Sequence, residues 1–83
     1  MYYVYVIYSK KLKKRYVGST ENVERRITEH NKGKNRFTKG GIPWIKIYLE
    51  EYESRSEAMQ RESFLKSGVG RGFLDNAVKI DEI

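Results

Sequence analysis

Five side chains spread along this sequence have the chemistry to act on a phosphate: Tyr5, Tyr16, Arg26, His30 and Glu62. A phenol or an imidazole can take a proton from water. A guanidinium can offset the extra charge on a pentavalent phosphate, and a carboxylate can hold a divalent cation. Two-metal cleavage needs several convergent carboxylates. This chain has two aspartates, both near its C-terminus, and most of its glutamates fall on polar faces. A single Mg²⁺ (or Mn²⁺) held by Glu62, waters and a substrate phosphate is the better fit to such a donor set.

What draws attention to these residues is where periodicity puts them. In the stretch RYVGSTENVERRITEH, Val23 and Ile27 define the apolar stripe of a helix, with His30 beside it and Arg26 at its edge. Arg25 points to the other side. Arg26 and His30 are an i,i+4 pair and so are neighbours on the helix surface. A second helix repeats the oddity with opposite sign, because Glu62 falls in the stripe marked by Ala58, Met59 and Leu65. A carboxylate there needs a cation, a strong donor or a metal. Each feature also has an ordinary explanation: a snorkelling arginine, a hydrogen-bonded border histidine, and a Glu62–Lys66 bridge along one helix.

The elements that must position these groups follow from local patterns. YYVYVIYS, which opens at Tyr2, is aromatic and β-branched as in a strand covered on both faces, here residues 2–8. With RYVGS, residues 15–19, it predicts a β-hairpin across KKLKK. If the connection has an even number of residues, Tyr5 and Tyr16 project from the same face. Thr20 is the expected N-cap of a helix running to Asn31, and Gly33 stops it. NKGKNRFTKGGIP is a basic connection, and residues 44–52 predict a third strand. Ser54 and Glu57 form a capping box opening a helix to Ser67. RGFLDNAVKI predicts a short final helix. The expected fold class is α/β (α+β): a three-stranded antiparallel sheet flanked by helices, in the order β-β-α-β-α-α, over one domain spanning residues 1–83.

Composition narrows the partners. Seventeen Lys and Arg against eleven Asp and Glu give a net charge of +6, which favours a polyanion, nucleic acid first and an anionic membrane second. The absence of cysteine rules out a disulfide framework and a thiolate metal site, and a lone histidine argues against structural zinc. The apolar opening to Tyr8 is too short for a signal peptide or a membrane span, so a cytoplasmic location is expected.

Taken together, the residues resemble the GIY-YIG nuclease superfamily, in particular its small stand-alone bacterial type, related to the nuclease module of the excision-repair protein UvrC, to Slx-type resolvases and to homing endonucleases. YVY at Tyr3-Val4-Tyr5 stands where the family has GIY, with Tyr3 replacing the glycine, and YVG at Tyr16-Val17-Gly18 stands for YIG. The strand-to-helix run places the family's arginine on Arg26 and its histidine on His30. AMQRESFLKS matches the helix pattern A-x-x-x-E-x-x-x-K and places the metal-binding glutamate on Glu62. Asn76 is the candidate for a further asparagine near the C-terminus.

The resemblance implies a Mg²⁺-dependent endonuclease that leaves a 5′-phosphate and a 3′-hydroxyl, with a role in DNA repair, recombination or processing. Tyr5 would be a general base or water-orienting phenol, and Tyr16 would contact the phosphate. Arg26 would stabilise the transition state, His30 would orient or relay a proton, and Glu62 would bind the metal. Lys32, Lys34, Arg36 and Lys39 are placed to hold a nucleic-acid backbone, as a solvated basic loop also would be. The expected partner is DNA, whether duplex, single-stranded or branched, with no membrane and no small-molecule cofactor; RNA and any protein partner stay open. The rivals are a non-catalytic nucleic-acid-binding module on the same fold and a basic protein-binding adaptor.

Overall fold

A computed structural model of the chain describes residues 1–80, so the last three residues of the expected domain lie outside it. Two neighbouring strands, β1 (Tyr2–Ser9) and β2 (Lys14–Thr20), form the predicted hairpin, followed by α1 (Val23–Asn31), a 3₁₀ turn at Lys39–Gly41, β3 (Trp44–Tyr52), α2 (Arg55–Lys66) and α3 (Gly68–Ala77). The sheet is antiparallel in the order β2-β1-β3. The class and element order match the sequence expectation.

Central position explains the composition of β1. Its odd side chains Tyr5 and Ile7 pack with Val23 of α1 and Trp44 on one face of the sheet. Its even side chains Val4 and Val6 pack with Val17, Ala58, Leu65 and Leu74 under α2 and α3 on the other. The hairpin pairs Tyr5 with Gly18 and Ile7 with Tyr16. Side chains alternate, so Tyr5 and Tyr16 share the α1 face, as an even connection requires.

Two boundaries and one expected core position differ from the sequence reading. The N-cap of α1 is Asn22, whose side chain accepts from the Arg25 N–H at 3.1 Å, because Thr20 is retained as the last residue of β2. The Thr20 hydroxyl instead accepts the Asn22 N–H at 3.1 Å, turning the chain into the helix. Met59 is 54% exposed and lies outside the buried stripe, since Ala58 and Leu65 are the buried residues of α2 and Phe64 packs beside them. Helix α3 begins at Gly68, not at Arg71, because Ser67 closes α2 and caps α3 by accepting the Gly70 N–H. Gly33 ends α1 as expected, with a φ of 78° that other residues adopt only at a cost.

Candidate active site

Tyr5 is buried at the centre of the sheet. It leaves the central strand on the α1 face, and its ring lies over Gly18 of the neighbouring strand. A β-carbon on Gly18 would sit 2.6 Å from the Tyr5 Cζ and closer still to the hydroxyl. The glycine of the YVG segment is therefore the space the phenol occupies. The Tyr5 hydroxyl is 2.8 Å from Nε2 of His30, and Nδ1 of His30 is 2.7 Å from the Thr38 hydroxyl. His30 and Thr38 are both 0% exposed and Tyr5 is 1% exposed, so this chain of three groups is buried.

The loop that supplies Thr38 is tied to the sheet. The Trp44 indole N–H donates to the Thr38 carbonyl at 2.6 Å. Asn31 holds the Trp44 backbone in both directions, accepting its N–H and donating to its carbonyl. Burial pushes the Tyr5 phenol up to about 12, with the nearby Arg26 guanidinium working in the opposite direction. Burial also lowers His30, helped by the positive charge of Arg26, so the imidazole is held neutral.

The remaining groups face outward around the β2 edge. The Tyr16 ring meets His30 edge-on, with centroids 5.1 Å apart. The Arg26 side chain is 35% exposed against 74% for Arg25, and it pairs with Glu29 at 3.0 Å while lying close enough to the Tyr5 phenol to shift it. Glu62 arrives from α2. Its Oε1 accepts from the Ser19 hydroxyl at 2.7 Å and its Oε2 from the Lys66 ammonium at 2.7 Å. Strand alternation sets Ser19 on the α2 face with Val17, so Glu62 approaches β2 from the side opposite Tyr16. Lys66 bridges the two sides, with its ammonium 5.8 Å from the centre of the Tyr16 ring. The structure thus brings Tyr5, Tyr16, His30 and Arg26 together on one face and sets Glu62 at the adjoining strand edge.

Lys32, Lys34, Arg36 and Lys39 are all exposed on the loop that Thr38 anchors, and none forms an ion pair among the described residues. A cleft of about 600 Å³ lies beyond the site, with Lys13, Lys14, Arg15 and Arg71 on its walls, and it shares only Tyr16 and Lys66 with the cluster. Asn76 is exposed on α3 and donates to the carbonyl of Gly72 on its own helix, with no hydrogen bond to the cluster. Sequence reasoning missed Thr38, Ser19 and the packing role of Gly18. The first two are ordinary polar residues in a loop and a strand, and no spacing rule marks them.

The two half-motifs, YVY and YVG, thus lie paired on adjacent strands, with the arginine and histidine on the following helix. The model of the GIY-YIG catalytic domain matches residues 1–73. The chain belongs to the GIY-YIG family. It is 43% identical over 67 residues to a UPF0213 protein of Staphylococcus haemolyticus, covering 80% of each chain. It is 45% identical over 53 residues to a UPF0213 protein of Natronomonas pharaonis, where the match spans 63% of this chain and 62% of the relative. Among solved structures, the solution NMR structure of a UPF0213 protein from Bacillus halodurans superposes with a TM-score of 0.56 at 32% identity, covering 93% of this chain and 85% of that one. Among the described residues of this GIY-YIG chain, no helix is long and apolar enough to cross a membrane.

Proposed function

We propose that this GIY-YIG domain is a Mg²⁺-dependent endonuclease that hydrolyses DNA phosphodiester bonds in the cytoplasm, in repair, recombination or processing. One observation carries the reading: a buried Tyr5–His30–Thr38 hydrogen-bond chain lies beside Arg26 and Tyr16, with the Glu62 carboxylate at the adjoining strand edge. A phenol at about 12 is ionised in only on the order of one molecule in 10⁵ at neutral pH. Tyr5 therefore acts as a neutral phenol that orients the attacking water. As the phenol oxygen accepts the water's proton, its own proton passes to Nε2 of neutral His30. Thr38 accepts from Nδ1–H and so keeps the Nε2 lone pair aimed at Tyr5. Tyr16 contacts the reacting phosphate, and Arg26 stabilises the charge that grows on it.

The donors suit one loosely held ion. Glu62 and the Ser19 hydroxyl beside it are hard oxygen ligands, and among the described residues no group of three carboxylate or histidine side chains forms a cage. Mg²⁺ commonly takes one or two carboxylates and keeps waters and substrate phosphate as its other ligands. Glu62 would hold the ion in place of the Lys66 ammonium, and the ion would supply Lewis-acid polarisation of the phosphoryl oxygen. Lys32, Lys34, Arg36 and Lys39 would hold the strand. Contact by these four cations gives a slope of log K against log salt of about −3 to −4 on duplex DNA.

The Lys66–Glu62 bridge favours one alternative, a non-catalytic nucleic-acid-binding module in which the carboxylate is already satisfied. End-labelled single-stranded, duplex and branched DNA, incubated with Mg²⁺ or with EDTA, separates the two. Cleavage that requires the metal and leaves ligatable 5′-phosphates supports the nuclease. Salt-dependent binding without cleavage of any substrate supports the module.

A further inference from the structure

Phe37 is 84% exposed, more than any other large apolar side chain described in the molecule. A lone exposed phenylalanine is unremarkable on a mobile loop, but this one is held out by a backbone that is fixed on both sides. Its own N–H donates to the Asn35 side chain at 2.8 Å. The N–H groups of Thr38 and Lys39 both donate to the Asn35 carbonyl, and that of Gly41 donates to the Thr38 carbonyl. The next residue, Thr38, is fully buried and is bonded to His30 and to the Trp44 indole. The position of the ring relative to His30 is thus set by one covalent step from a buried anchor.

The surroundings of the ring select its partner. Lys34, Arg36 and Lys39 flank it at i−3, i−1 and i+2, all exposed and none in an ion pair among the described residues. A second copy docking tip to tip would set one group of unpaired cations against another. A polyanion carrying flat apolar groups satisfies both the charge and the ring. Nucleic acid with unpaired bases is that partner: phosphates meet the cations, and a base stacks on the ring. A continuous duplex offers the phosphates but keeps its base faces stacked internally.

We propose that Phe37 is a stacking platform for an unpaired base next to the bond being cut, so that the site favours single-stranded or locally unpaired DNA over continuous duplex. The proposal rests on the nuclease reading above for its substrate. Stacking tolerates any base, so the preference is for structure and not for sequence.

The test is binding of the full chain in EDTA, read by fluorescence anisotropy, to a twelve-nucleotide single strand, the matched duplex and a duplex with a three-nucleotide bulge. Phe37→Ala is expected to weaken binding to the single strand and the bulged duplex about tenfold, and to the matched duplex less than about twofold. Phe37→Trp should restore binding. Arg36→Ala should weaken all three and flatten the salt slope by about 1, whereas Phe37→Ala should leave the slope unchanged. Equal losses on every substrate, no loss on any, or a self-association that Phe37→Ala abolishes would overturn the proposal. Failure to bind any of the three would overturn it together with the nucleic-acid reading. The assay needs no catalysis, so the two readings fail separately. Phe37-dependent discrimination without cleavage leaves the platform standing, and cleavage with Phe37-independent binding leaves the nuclease standing.

Discussion

Replacing Gly18 with alanine tests the geometry of the site at its tightest point. The added carbon would lie 2.6 Å from the Tyr5 Cζ and 3.0 Å from its Cε1, where ordinary contact begins at 3.4 Å. The ring must therefore retreat by about 0.8 Å, the difference between 3.4 and 2.6 Å. Tyr5 is buried and tied to His30 at 2.8 Å, so it has nowhere to go without breaking that bond. Overpacking of this kind costs about 1–3 kcal/mol. A buried imidazole nitrogen left without its partner adds about 1–3 kcal/mol more. A total near 3 kcal/mol lowers the melting temperature of a domain this size by about 12–24 °C. A catalytic group displaced by nearly an ångström costs about 10²-fold in rate. Thermal unfolding by circular dichroism and single-turnover cleavage read the two effects. Gly40→Ala is the control, because its added carbon meets nothing within 4 Å. Wild-type melting and wild-type cleavage in Gly18→Ala would show that the phenol moves freely and that the Tyr5–His30 bond does not fix the site.

The two adjacent arginines should separate sharply: Arg26→Ala is expected to lose about two to three orders of magnitude in rate, and Arg25→Ala less than about threefold. Equal losses in cleavage assays would make both mere phosphate anchors. The folded-state value of His30 is lowered, so the unfolded chain binds its proton first as pH falls. Stability from this group is complete above about 6.5 and is lost as pH drops below it. Urea titrations between pH 5 and 8 should show that decline and its disappearance in His30→Gln; a rise in stability on acidification would contradict the burial argument. Glu29 and Glu50 are both lowered from the usual carboxylate range, so their contributions are lost only at more acid pH. Thr38→Val should cost about 1–3 kcal/mol and Thr38→Ser almost nothing, measured by the same titrations.

Much of the fold was legible because period carries it. The unbroken aromatic and β-branched run YYVYVIYS, the 3.6-residue stripe of Val23 and Ile27, and the Ser54 capping box each mark an element that the structure contains. Boundaries shift where local signals compete. Thr20 and Asn22 are both good caps, and only the strand pairing of Thr20 with Tyr3 decides between them. Three glycines in GVGRG disfavour a helix on propensity, yet Gly70 is needed where α3 crosses the end of α2, since a side chain there would strike the backbone of Phe64. Of the candidate site, the inward-leaning Arg26, His30 and Glu62 were visible as polar residues on or beside apolar stripes. Thr38 was invisible, because a loop has no period and its burial depends on the tertiary contact with His30. The half-buried pairing of Glu50 with Arg61 was equally hidden, being made between β3 and α2, with Tyr48 and Tyr52 donating to the same carboxylate from within β3.

The central claim is that the Glu62 carboxylate serves a metal during phosphodiester cleavage and does more than neutralise Lys66. The measurement that bears on it most directly is single-turnover cleavage by Glu62→Ala across a Mg²⁺ titration, with DNA affinity and melting temperature recorded on the same samples. Loss of a metal-dependent transition-state contact should lower the rate by about three orders of magnitude at every Mg²⁺ concentration. The basic loop is untouched, so affinity should change less than about twofold, and a half-exposed pair contributes at most about 1 kcal/mol to stability. Cleavage by Glu62→Ala at the wild-type rate in Mg²⁺ would contradict the account.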